Sequence, residues 1–223
     1  MMDQTVADPA HPHVRDLRGE PGDGPLSLCW PAGHRVVVSG LPGCGKSTLM
    51  RRAHGPGGAG AGVRTIDSQD VRERWDLRLG HRLPYAVYRP LVRLAHYLRL
   101  WLALRQGAAV LVHDCGRLRW VRAWLAWHAW RRGQPYHLLL FDVPAESALA
   151  GQRRRGRAVS GYAFRRHRRA LARLLARVEG ERLPAGCGSA VLIDAPTAAR
   201  ARLCFVDPDE ATPVGAFPRV DRF

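Results

Sequence analysis

Nine consecutive residues, Gly40-Leu-Pro-Gly-Cys-Gly-Lys-Ser-Thr48, carry the sharpest chemical signal in the chain. Gly40, Gly43 and Gly45 permit abrupt backbone turns, so that successive N–H groups converge and can cradle phosphate oxygens. Leu41, Pro42, Cys44 and Thr48 fill out this loop and the start of the helix expected after it. That helix adds the positive end of its dipole to the cradle. Lys46 is a compact charge on a flexible stem, suited to reach the outer phosphates of a nucleotide, and Ser47 offers a hydroxyl to Mg²⁺. Lys46 is also the only lysine among 35 basic residues. A planar guanidinium does not replace an ammonium at such a position, which accounts for one lysine in a chain that otherwise uses arginine.

Further side chains could act on a nucleotide held there. Asp114 ends the apolar run Val110-Leu-Val-His-Asp114, where a carboxylate would hold the metal through water. Asp67 and Asp70 follow another apolar run, with Arg72 close behind. Either carboxylate could take a proton from an attacking hydroxyl, and Asp70 or Ser68 could equally cap a helix. Gln152-Arg-Arg-Arg-Gly-Arg157 offers Arg153, Arg154, Arg155 and Arg157 to close over phosphates, and an arginine so placed is worth roughly 10³–10⁵ in rate. A solvated basic helix would have the same composition. Trp120, Trp124 and Trp127 recur at i, i+4 and i+7 and could stack bases; core packing is the preferred reading of that stripe.

The elements that must position these groups are short apolar runs alternating with helical periodicity. Residues 35–39, 63–67, 109–113, 137–141 and 190–193 predict strands. A helix starts near Lys46. Another opens with Pro90 at its first position and runs to Arg105, with Leu91, Leu94, Ala95, Leu98 and Leu102 on one face. A third covers residues 117–132, and Phe164, Leu171, Leu174, Leu175 and Val178 mark a later one. The alternation predicts an α/β fold: a doubly wound parallel sheet with ligands at the carboxyl ends of its strands. Residues 1–30, rich in Pro, Gly, Asp and His, are expected to form a flexible arm. Residues 31–207 are expected to form the domain, with a lid at about 150–160, and residues 208–223 a tail.

Composition narrows the function classes. At 223 residues the chain can bury a full core. A formal charge of +16, with ten arginines between Arg153 and Arg177, leaves a polyanionic substrate open beside plain solvation. The longest apolar run, Leu91–Leu104, is interrupted by Arg93, His96 and Arg99, which argues against a membrane span. Cys29, Cys44, Cys115, Cys187 and Cys204 are odd in number and form no C-x-x-C pair. They are expected to be separate thiols of a cytoplasmic protein, not a metal site or disulfide frame.

Together, GLPGCGKST at 40–48, IDSQDVRERW at 66–75, VLVHD at 110–114, FDVP at 141–144 and RRRGRAV at 153–159 resemble the small P-loop kinases of the AAA-33/zeta-toxin-like group, and within it the kinase domain of phage-type polynucleotide 5′-kinases. The likeness spans roughly residues 34–180, and only the phosphate loop is highly specific. It implies a three-layer P-loop fold with a five-stranded parallel sheet in 2-3-1-4-5 order, helices on both faces, ATP·Mg as donor and a lid arginine. Arg155, directly before Gly156, best matches that arginine. The group places its base three residues before an arginine; here Gln69 stands three before Arg72, and the nearest carboxylate is Asp70. The expected activity is ATP·Mg-dependent phosphoryl transfer to a hydroxyl acceptor, a small molecule or a nucleic-acid 5′-end, with no membrane partner. The alternative is an ATP-binding regulatory or structural protein with little turnover.

Overall fold

All six residues of β3 (Arg35–Gly40), RVVVSG, are buried. A strand buried on both faces belongs in the middle of a sheet covered by helices, and β3 lies there. The computed structural model describes residues 13–22, 24–53, 63–67, 75, 77, 85–114, 119–154 and 160–206. Its main sheet joins β3 to β1 (His13–Asp16), β4 (Arg64–Ile66), β5 (Val110–Asp114), β6 (Tyr136–Phe141) and β7 (Cys187–Ile193), in the order β1-β7-β6-β3-β5-β4. Every pairing is parallel. The five strands expected from the sequence keep the 2-3-1-4-5 order, and β1 adds a sixth beside β7.

Six described helices connect them: α1 (Lys46–Arg52), α2 (Tyr85–Arg105), α3 (Arg119–Arg132), α4 (Ala145–Arg154), α5 (Gly161–Glu179) and α6 (Ala195–Arg200). Crossovers between parallel strands are right-handed. The step from β3 to β4 runs opposite to the steps β4–β5, β5–β6 and β6–β7, so α1 covers one face and α2 to α5 the other. One large apolar core fills both interfaces, including Val36, Val37, Val38, Leu138 and Leu140 from the strands and Leu49, Leu104, Leu125 and Leu174 from the helices.

Within the expected arm of residues 1–30, the described residues include β1 and most of a second strand. β1 pairs with β7, and the turn after it is anchored by Arg18, which bonds Asp16 and Asp142 at 2.6 Å and Glu179 at 2.7 Å. β2 (Leu26–Pro31) pairs in parallel with β8 (Ala201–Val206) as a separate two-stranded sheet. Leu26, Leu28 and Trp30 are buried and alternate with half-buried neighbours, the period-2 pattern of a strand with one covered face. Residues 1–12 and 207–223 lie outside the described residues, so the tail beyond residue 207 does too.

Three expectations are corrected. Cys29 and Cys204 are not separate thiols: they face each other in the β2–β8 register and form a disulfide, with Cα atoms 4.5 Å apart. A separation of 175 residues leaves no local pattern by which to recognise the pair. Cys44 and Cys187 are free, and Cys115 lies outside the described residues. Pro90 is not at the first position of its helix, because α2 already begins at Tyr85; a proline inside a helix removes one backbone hydrogen bond and sets its ring against the carbonyl four residues earlier. The tryptophan stripe is only partly core. α3 buries Val121, Leu125 and Ala129, Trp124 packs at their edge, and Trp127 is about half exposed. The side chain of Trp120 lies outside the described set.

Candidate nucleotide site

The loop between β3 and α1 has the backbone its glycines permit. Gly43 has φ 93° and Gly45 φ 105°, both in the left-handed region that side chains disfavour. Gly43 is also hemmed in: a Cβ there would stand 2.2 Å from the Ala148 carbonyl oxygen and 2.8 Å from Gln152 Cγ. A Cβ on Gly40 would meet Phe141 Cβ at 2.7 Å and Cys44 Sγ at 2.8 Å. The loop is therefore wedged between β6 and α4 and its shape is imposed from both sides. Gln152 Nε2 donates to the Pro42 carbonyl at 2.9 Å, tying α4 to the loop from above.

Lys46 opens α1 and is buried. Its ammonium donates to the carbonyls of Gly40 at 2.9 Å and Leu41 at 2.7 Å and lies 3.5 Å from Cys44 Sγ. No carboxylate pairs with it among the described residues. A buried cation held only by neutral acceptors favours an anion beside it. Gly45, the N-cap of α1, supplies no side-chain cap, so N–H groups of the first turn stay open for phosphate oxygens. Ser39 Oγ, buried just before the loop, has no hydrogen-bond partner. On these grounds the residues present fit the phosphates of a nucleotide.

The metal side fits by position. Ser47 is buried in the first turn of α1 and Thr48 is half-buried after it. Asp114 closes β5 directly beside Ser39 in register, which puts its backbone at the carboxyl end of the sheet, next to the loop. Among the described residues no cluster of three His, Cys, Asp or Glu side chains could hold a metal unaided. A magnesium ion here would rest on Ser47, Asp114 and the nucleotide's own oxygens.

Asp67, just past β4, is buried and accepts a hydrogen bond from His113 Nδ1 at 2.8 Å. Sequence reading had no sign of that partner, since the two residues stand 46 positions apart; both ends of parallel neighbours β4 and β5 bring them together. His96 on α2 is buried, which depresses its pKa to about 4. Asp70, Arg72, Arg155 and Arg157 lie outside the described residues. Arg153 and Arg154 are exposed at the end of α4. The contact that sequence reading passed over is the seat of α4 on the loop: a Cβ on Gly151 would be 2.3 Å from the Gly43 carbonyl oxygen. The Ala148-x-x-Gly151-Gln152 spacing is its only trace in the sequence.

A parallel α/β sheet with a glycine loop at its switch point, a buried lysine and an uncapped helix start define a P-loop nucleotide-binding protein. The model of the AAA domain family AAA_33 matches residues 36–180, and the chain belongs to that family. The family includes kinases and ATPases. No curated protein matches the chain. No helix among the described residues is long and apolar enough to cross a membrane.

Proposed function

We propose that the protein is an ATP·Mg-dependent phosphotransferase acting on a hydroxyl acceptor, either a small molecule or a nucleic-acid 5′-end. The observation that carries this reading is the seat of α4 on the phosphate loop. Through the Gly43–Gly151 approach and the Gln152–Pro42 hydrogen bond, the helix that leads into Arg153-Arg-Arg-Gly-Arg157 is rigidly referenced to the residues that would hold the phosphates. Bound ATP·Mg supplies an activated phosphoryl group whose transfer needs positioning and charge compensation more than covalent help. Lys46 and the open N–H groups of the loop would bind its phosphates. Ser47 and Asp114 would hold the metal. Arg155 would enter as the lid arginine, Asp70 would accept the acceptor's proton, and Arg72 would orient the same edge of the cleft.

One observation favours a second reading, an ATP-binding protein with little turnover. Asp67, the described carboxylate at the end of β4, is buried and engaged by His113, so the proton must go elsewhere. Transfer from γ-labelled ATP to a panel of alcohols and 5′-hydroxyl oligonucleotides separates the two. The expected result is a labelled acceptor, with Asp70→Asn lowering transfer at least about 100-fold while ATP still binds, given the 10²–10⁴-fold worth of a placed base. Tight ATP binding with no labelled acceptor, or full activity in Asp70→Asn, would favour the second reading or remove Asp70 from the mechanism.

A further inference from the structure

α2 is apolar on two opposite sides. Its inner side is buried: His96, Leu100, Ala103 and Leu104 toward β4, β5 and the core, and Tyr88 and Val92 in a small separate cluster with Trp75 and Ala95. The face predicted from the leucine pattern is the other one, and it points outward: Leu94 is 65% exposed and Leu98 52%, where Leu100 is 0%. Val87, Leu91, Trp101 and Leu102 are exposed along the same line. A helix with two apolar faces is normally covered on both.

The spacing of the outer residues is specific. Val87, Leu91, Leu94, Leu98 and Trp101 follow one another at intervals of four, three, four and three. That is the 3.5-residue repeat by which one helix packs knobs into the holes of a second. We infer that α2 is a dimer seam, packing antiparallel on α2 of a second copy of this chain about a two-fold axis near Leu94.

Area agrees with that occupant, and charge selects its orientation. At roughly 150–250 Å² for a large side chain, the six outer residues leave on the order of 500 Å² open per copy. A symmetric pair would bury about 1,000 Å², the lower bound for a specific interface, and a two-fold seam closes on itself without forming fibres. α2 contains no acidic residue. Arg105 continues the seam at its carboxyl end, its guanidinium 4.6 Å from the Trp101 ring centroid. In a parallel pair the two Arg105 cations would oppose each other; in an antiparallel pair they lie at opposite ends of a 21-residue helix, and the helix dipoles align favourably.

The test is sedimentation equilibrium of the full chain from 1 to 100 μM (about the range in which an interface of this size is measurable). A dimer is expected, with Leu94→Glu and Leu98→Glu monomeric, their circular dichroism and nucleotide binding unchanged. Leu94→Ala, which favours the helix, should weaken association at least about tenfold and keeps the test open if the glutamate variants misfold. Under mild oxidation Leu94→Cys should form covalent dimers and Leu102→Cys should not; the reverse would overturn the antiparallel arrangement. A wild-type monomer throughout the range, or a dimer indifferent to Leu94, would overturn the seam. So would a monomer that sediments with anionic phosphatidylglycerol vesicles through Leu94, which would assign the face to lipid.

Discussion

The phosphate loop and the β2–β8 pair show two ways in which this chain builds a fixed structure. In the loop, ten consecutive residues from Ser39 to Thr48 do the work, and strands and α4 press on them from outside. In the pair, Leu26–Pro31 meets Ala201–Val206 across almost the whole chain, with Trp30 near Phe205 and Cys29 bonded to Cys204. The loop leaves polar groups open: Lys46 has only neutral partners and Ser39 Oγ has none. Beside the pair, His34 shares a 2.8 Å hydrogen bond with His137, which bonds Ser189 at 2.8 Å. Binding capacity thus sits where the chain is locally constrained, while long-range closure is made by a separate two-stranded sheet packed against α1.

If that division holds, substitutions should separate the two properties. Gly43→Ala should have the largest effect because it strikes both. The positive φ and the overlap with the Ala148 carbonyl together cost about 2–5 kcal/mol. Nucleotide binding should be lost and the denaturation midpoint lowered; a variant that binds normally would mean that the loop is looser than its contacts imply. Cys29→Ser should lower stability by about 2–4 kcal/mol and leave nucleotide affinity unchanged, as read by urea titration beside ligand titration. A fall in affinity of the same size would couple the two regions. Lys46→Arg should do the converse. Affinity for ATP·Mg should weaken roughly 10- to 100-fold, the worth of a charged hydrogen bond at about 1.5–3 kcal/mol, with no change in the urea midpoint.

Acid should act through burial, and more gradually. His34 and His96 have pKa values near 4, each pushed down chiefly by desolvation, with Arg35 adding to it at His34. Both are neutral in the fold and take up a proton on unfolding below about pH 6.5. Their contribution is therefore complete above pH 6.5 and declines as pH falls toward 4. Urea midpoints between pH 7.5 and 4.5 should fall along that window in wild type. His34→Phe should flatten part of the decline; an unchanged profile in that variant would remove His34 from the account.

The division also explains what could be anticipated from the residues alone. Runs such as Val36-Val-Val and Leu138-Leu-Leu are buried on both faces, so apolar content located five of the six strands of the main sheet, while their order was implied only by the family resemblance. The loop is consecutive, and each of its residue types answers to a chemical need. The leucines of α2 were visible, but not which way they face, because Tyr88, His96 and Ala103 make a weaker pattern than the outer stripe while filling the true inner side. The Leu26–Leu28–Trp30 alternation is present, yet it is surrounded by glycine and proline and its partner strand lies at the far end of the chain. Asp67–His113 and Gln152–Pro42 depend on packing across elements, for which a linear spacing has no code.

β1 has a consequence for where the domain can be cut. A parallel strand at the rim of a sheet carries unpaired N–H and C=O groups, a template for other chains. Four residues, His13–Asp16, cover the rim of β7, and Arg18 clamps them to Asp142 and Glu179. A chain shortened to begin at β2 would retain every residue of the nucleotide loop. It would also present β7 uncovered, with seven largely apolar residues ready to pair with a neighbour. His13–Asp16 therefore belongs to the folded unit, and a cut made after it would leave the rim of β7 open to pairing with another chain.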